Sequence, residues 1–366
     1  MYPPATKLLN CYVQTDVEYK FSDFVDGGNG CLYGIPSGAP RVVEYNLEDK
    51  SIKEIGPYLG DECGKYTNGI KANNGSIYCM PHLAQYLLKI TPGKGHYAEV
   101  QRLEEKQLSF EQHLPEGRWK NCWNAGALAN DSCIYYFPYE LPYDFGRILK
   151  LDPNDGDSLS IVGEEINGGF DAAVLGNDGY IYVVSDIKII NFNPIDHRVS
   201  CIGRKFEHGN NLWTGAVLAE DGNIYAANRF EQILRIDTSE NDWEIIECEI
   251  YDGEYYDTVW GSPAIGADKC IYFPPACHDR VLKFNPSTQS ISLVGESYGI
   301  GSWKWRGSVL ASDGYIYCIP HDANDILQID SRHVNEQVIG MIENLQRNDK
   351  NIVENATEVK KRKRFS

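Results

Sequence analysis

No run of about 18 apolar residues occurs in this 366-residue chain, so no segment is long enough to cross a bilayer as a helix. Its 11 cysteines contain no Cys-x-x-Cys pair, which removes the common structural zinc sites. A phosphate-cradling Gly-x-x-x-x-Gly-Lys loop is missing, and with it a large class of nucleotide enzymes. Positive charge is scarce: 34 Lys/Arg stand against 52 Asp/Glu, a net −18. Seven of those cations lie in residues 341–366 beside four acids, so the rest of the chain carries −21. So acidic a body repels phosphate backbones and excludes nucleic acid as its partner. The first residues lack the apolar stretch of a secretory signal. With an odd number of cysteines, this leads us to expect reduced thiols and a cytoplasmic or nuclear location.

What is abundant is repetition. An Ile/Leu-Tyr pair recurs at Leu32-Tyr33, Ile77-Tyr78, Ile134-Tyr135, Ile181-Tyr182, Ile224-Tyr225, Ile271-Tyr272 and Ile316-Tyr317. The spacings of 45, 57, 47, 43, 47 and 45 residues are those of four-stranded propeller blades. Eleven residues before each pair stands an aromatic: Phe21, Tyr66, Trp123, Phe170, Trp213, Trp260 or Trp305. Within a repeat, the aromatic opens strand a, an Asp-Gly or Asn-Gly turn leads into strand b with its Ile-Tyr pair, and strand c closes on Asp or Asn. A short strand d commonly ends in glycine. The pattern predicts an all-β, seven-bladed β-propeller of four-stranded antiparallel blades over residues 21–340. Residues 1–20 form an N-terminal segment whose stretch 8–13 is a candidate extra edge strand, and 341–366 form a polar tail with a basic cluster. Strand a, almost wholly apolar, is expected to be buried on both faces, with exposure rising outward. Each repeat has enough sequence for its own four strands. Cysteines recur at equivalent places (Cys31, Cys133, Cys270; Cys79, Cys318) and read as small buried hydrophobes rather than disulfide partners.

The run Asp-Gly-x-Ile-Tyr, then Ile-Leu-x-Ile-Asp-Pro, then Ile-Gly resembles repeats of the streptogramin-lyase, gluconolactonase and NHL-type propellers. The resemblance implies the fold. For the enzymes of that group it also implies His, Glu, Asp or Asn at strand ends facing the central funnel. Here strand b ends mostly in proline: Pro36, Pro81, Pro138, Pro275 and Pro320, with Ser185 and Asn228 as the exceptions.

The d–a and b–c connections share the top face and vary most, which makes that face the place to look for function. The spacing of 57 puts an insertion at 103–118, beside a long loop at 139–147 that holds Tyr139 and Tyr143. Among the ring aromatics, Trp123, Trp213, Trp260 and Trp305 have two readings: packing between blades, or stacking platforms for a ligand. The residues after the aromatics (Ser22, Thr67, Asn124, Asp171, Thr214, Gly261, Arg306) are mostly small and polar and point the other way, toward the channel; Asp171 and Arg306 carry its only charges. As acid–base candidates His278, His321 and Asp171 stand out, the histidines being expected as exposed loop residues on neighbouring blades. No cofactor and no metal site is expected.

Three functions follow in order. The first is a non-enzymatic scaffold binding a protein or peptide through the top face; the second a lyase- or lactonase-like enzyme; the third a lectin-like binder with repeated aromatic pockets. The run Lys360, Lys361, Arg362, Lys363 and Arg364 suits an import receptor.

Overall fold

The computed structural model describes residues 6–10, 17–84, 86–95, 97–103, 123–139, 146–206, 213–228, 232–248, 260–301 and 303–332. Among them the regular structure is all strand, in seven four-stranded antiparallel sheets, and the protein is a seven-bladed β-propeller. The insertion beyond Leu103, Tyr143, the strand expected to end at Gly340 and the cations at 360–364 lie outside the described residues.

Blade five shows the plan. Strands a to d are Trp213–Leu218, Ile224–Asn228, Gln232–Asp237 and Asp242–Glu247, paired in that order. Burial departs from the expected inside-to-outside gradient. Strand b is buried at every position, whereas strand a alternates between buried and half-buried. Strand a lines the axial channel, so one of its faces meets water; strand b is enclosed by neighbours on all sides.

Every core lies between two blades. Seven hydrophobic clusters each draw on two adjacent blades, and each contains one ring aromatic. A lone four-stranded sheet cannot bury its two faces, so each blade depends on its neighbours. The equivalent cysteines are buried within these clusters, and no disulfide occurs among the described residues.

Below the sheets, each repeat is locked by its tyrosine. In blades three to seven the hydroxyl of Tyr135, Tyr182, Tyr225, Tyr272 or Tyr317 donates to the Asp four residues earlier, at 2.7–2.9 Å. In blades one and two the Asn29 and Asn74 amides donate instead to Tyr33 and Tyr78. The other oxygen of the same Asp or Asn accepts the N–H two residues on, closing the a–b turn. Several latches also reach the next blade's c–d turn: Tyr135 to the Pro194 carbonyl and Tyr182 to that of Thr238, both at 3.3 Å. The Asp/Asn-x-x-x-Tyr spacing is thus a turn and an inter-blade clamp in one.

The edge strand considered at 8–13 is found at Thr6–Asn10, and it serves as the fourth strand of blade seven in place of one from that repeat. Strands a to c of the blade are Trp305–Leu310, Tyr315–Pro320 and Asp325–Asp330, and its outer strand is the N-terminal Thr6–Asn10, with Leu8 opposite Leu327. Leu9 packs into the core between blades seven and one, and Tyr298 donates to Thr6 Oγ1 at 2.6 Å. The edge that strand c would expose is covered, and the two ends of the array are held in one sheet.

Two outcomes follow. Deleting residues 1–10 uncovers the edge of Asp325–Asp330, so the truncated protein is expected to melt several degrees lower and to self-associate, read by calorimetry and light scattering. Tyr182→Phe removes the latch to Asp178 and is expected to cost about 1–2 kcal/mol in urea unfolding without a change in m-value.

Candidate functional site

Immediately after the ring aromatic the a–b ladder slips in six of the seven blades. In the sixth blade Trp260 and Pro275 form only an isolated bridge. A bulge takes one residue out of the ladder and re-aims its side chain. The residues so released are the polar set: Ser22, Thr67, Asn124, Asp171, Thr214 and Arg306 all line one cavity of ≈ 520 Å³ at the top of the axis. Gly261 does not reach it, and Ser262 lines it instead.

Three consecutive blades finish the funnel with a shared device. Two residues before the ring aromatic, Tyr19, Gly64 and Trp303 hold φ of 55°, 75° and 50° in blades one, two and seven. Each carbonyl accepts the N–H of a residue in the b–c loop: Gly38, Leu83 and Asp322 respectively. The next residue is a lysine each time. Lys65 Nζ donates to the Gly38 and Glu62 carbonyls at 2.9 and 2.7 Å, Lys20 reaches the Asp322 and Ala323 carbonyls, and Lys304 that of Ala276 at 3.1 Å. Burial pulls the Lys304 ammonium down to about 8 and lowers Lys65 as well. Glycine adopts positive φ freely, but Tyr19 and Trp303 do so at a cost of about 1–2 kcal/mol each. That strain turns both aromatic rings into the funnel wall, on either side of His321 at 5.1 and 6.0 Å between ring centroids.

Charge in the funnel centres on Arg306. Half-buried, it faces the cavity, and desolvation lowers its pKa against the pull of Asp171 and Asp23. Asp23 is seated by Gly307 on the neighbouring inner strand: a Cβ there would stand 2.6 Å from the Asp23 Cα. Burial raises the Asp23 carboxyl to about 7, although the backbone N–H groups of Gly69 and Phe24 and the Arg306 charge hold it down. Burial and then Arg306 drive His82 to about 4 and His321 to about 3, so both imidazoles are neutral at pH 7.

The acid–base candidates divide. Asp171 and His321 share the funnel, whereas His278 is buried against Trp260, ring centroids 5.2 Å apart, and does not line it. Neither histidine is the exposed loop residue expected; each is about 99–98% hidden, because the b–c loops fold inward over the strand ends. His321 Nδ1 is bonded to the Phe21 carbonyl at 2.6 Å. No cluster of His, Cys, Asp and Glu suited to a metal occurs among the described residues.

The four indoles are wedges. Trp123, Trp213, Trp260 and Trp305 are 0–5% exposed, one in each of four inter-blade cores. Three of them donate to backbone carbonyls of the b–c connection: Trp123 to Arg147, Trp213 to Ser185, Trp305 to Asp325. Only Trp213 also touches the funnel. The stacking faces that repeated pockets require are spent on packing. Tyr139 lines the funnel and meets His82 edge-on at 5.4 Å.

Asp23, Tyr19 and Ser262 were not legible as site residues. Asp23 sits two after the ring aromatic, a position that without the bulge points away from the channel. The lysine before the aromatic in blades one, two and seven was the available signal for the specialised arc.

Because the Asp23 pKa is raised on folding, its ionisation opposes the native state. Stability from this group is full below about pH 4 and lost as pH rises toward 7. Asp23→Asn is expected to remove that slope, gaining on the wild type between pH 4 and 7 by up to a few kcal/mol and no further above pH 8, as read by urea unfolding across pH.

No protein-family model matches the sequence, and no curated protein does. Solved structures share its fold at low identity. A streptogramin B lyase aligns with a TM-score of 0.66 at 13% identity, over 88% of this chain and 96% of that one. A catalytically inactive virginiamycin B lyase from Staphylococcus aureus, with quinupristin, aligns at 0.67 and 13%, over 89% and 98%. YCF48 bound to D1 peptide aligns at 0.61 and 11%, over 90% and 98%. At such identities the likeness establishes the seven-bladed fold.

Proposed function

We propose that this protein is a non-enzymatic β-propeller that binds a protein or peptide segment through its top face, the segment entering the axial funnel. One observation carries the reading: Tyr19 and Trp303, in equivalent places on adjacent blades, are held in the left-handed region so that their rings form the funnel wall. Glycine stands at the same place in blade two, so the backbone does not need an aromatic there. Strain kept at a cavity rim points to a use for the side chain. Aromatic walls around a polar floor suit an extended chain, offering apolar area for side chains and donors for carbonyls. The weakened basicity of His82 and His321, far below working pH, and the engagement of His321 with a backbone carbonyl support binding over acid–base turnover. YCF48, a propeller of the same fold, is known in complex with a peptide.

An array of N-acetylated tetrapeptides tests this. The wild type is expected to retain a restricted subset. Tyr19→Gly and Trp303→Gly, which keep the backbone as Gly64 does, are expected to fold and to weaken retention at least about tenfold. Retention of no peptide, or of the same peptides by all three proteins, would discard the proposal.

A further inference from the structure

The funnel holds polar groups that none of the described residues satisfies. Among the described residues the Arg306 guanidinium makes no hydrogen bond and no ion pair; its recorded contact is the Trp303 ring, 5.9 Å from the guanidinium carbon to the centroid. A guanidinium presents five N–H donors in a fixed plane. Elsewhere in the lining, Thr67 Oγ1 has no hydrogen bond among the described residues although Thr67 is only 5% exposed, and Thr214 Oγ1 is also buried and without one. Buried polar atoms are rarely left so, and both residues belong to the lining of one cavity. What is unmet is a demand for acceptors.

The surrounding charges narrow the acceptor. Asp23 and Asp171 both lie within the Coulomb reach of Arg306. The Asp23 oxygens already accept from Phe24 N–H at 2.9 Å and Gly69 N–H at 3.4 Å, and among the described residues no cation stands within ion-pair distance of that carboxylate. A phosphate, with its second negative charge, would meet the Asp171 carboxylate, a partly ionised Asp23 and a strongly acidic body. A planar monoanion matches the fork of the guanidinium and carries half that repulsion. A cation would meet Arg306 itself.

We propose that the funnel is a carboxylate receptor in which Arg306 grips both oxygens, with Thr67 and Thr214, two blades to either side of it, lining the same cavity. The inference rests on the top-face binding reading and adds the chemical group recognised. The carboxylate is the free C-terminus of a peptide or that of a small acid. Tyr19, Trp303 and Tyr139 then flank whatever follows it outward.

Calorimetric titration with matched N-acetyl tetrapeptides, ending in either carboxylate or carboxamide, tests the idea on the unaltered protein. Acetate, benzoate and inorganic phosphate serve as small probes. The carboxylate form is expected to bind at least about tenfold tighter than the carboxamide. Arg306→Lys keeps the charge but not the fork, and is expected to weaken carboxylate binding by about tenfold. Asp23→Asn is expected to tighten it, a change that mere damage to the fold would not produce. Binding confined to peptides identifies a chain terminus as the source; comparable binding of benzoate and acetate, with the same sensitivity to Arg306→Lys, identifies a small acid and overturns the peptide reading alone. Equal affinity for both peptide forms would overturn the carboxylate inference and leave peptide binding in place. Phosphate binding as tightly as any carboxylate, or silence from every probe, would overturn it too.

Discussion

Burial between blades is the constraint on which everything else in this molecule depends. Each four-stranded sheet has two faces to hide and a hydrophobic partner only in its neighbours, so seven cores form at seven seams and the ring must close. The ring aromatics fill those seams at the top and the tyrosine latches tie them at the bottom. Burial holds the latch phenols well above their ordinary pKa, so they remain donors at any physiological pH. Closure then falls to the one seam the repeats leave to the chain ends, where Thr6–Asn10 completes blade seven.

The site is a by-product of the same geometry, specialised afterwards. Beside the bulky aromatic the ladder slips in six of the seven blades, and each slip delivers one polar side chain to the axis. On that symmetrical background blades seven, one and two depart together. Their d–a loops share a left-handed residue followed by a lysine whose ammonium is sequestered by backbone carbonyls. Those lysines spend their charge inside the wall, which leaves Arg306, among the described residues, as the cation that faces the cavity with its donors uncommitted.

Much of this was legible from residues alone where one repeat could be laid over another. The blade count, the strand order and the polar set that reaches the channel come from period and position, and position within a blade fixes direction. The Asp/Asn-x-x-x-Tyr spacing was legible as a turn, but not as a bond, because its role appears only when the strand folds the phenol back over the turn. The ring tryptophans could be read two ways, since a side chain between blades and one facing solvent leave the same periodicity; burial decided for packing. His278 and His321 occupy similar loops in sequence, yet only one meets the funnel, because loop paths are set by local hydrogen bonds rather than by period.

Sequence by itself determined that seven equivalent sheets would form and close, since that follows from alternation, turn chemistry and spacing, all of which are local. Tertiary structure decided which strand seals the ring, which charges meet on the axis, and which donors are left without acceptors. Asp23, Asp171 and Arg306 come from three different blades and are brought within reach only by the closed ring. Their protonation and partnering depend on burial at the shared axis, a property that no single repeat possesses.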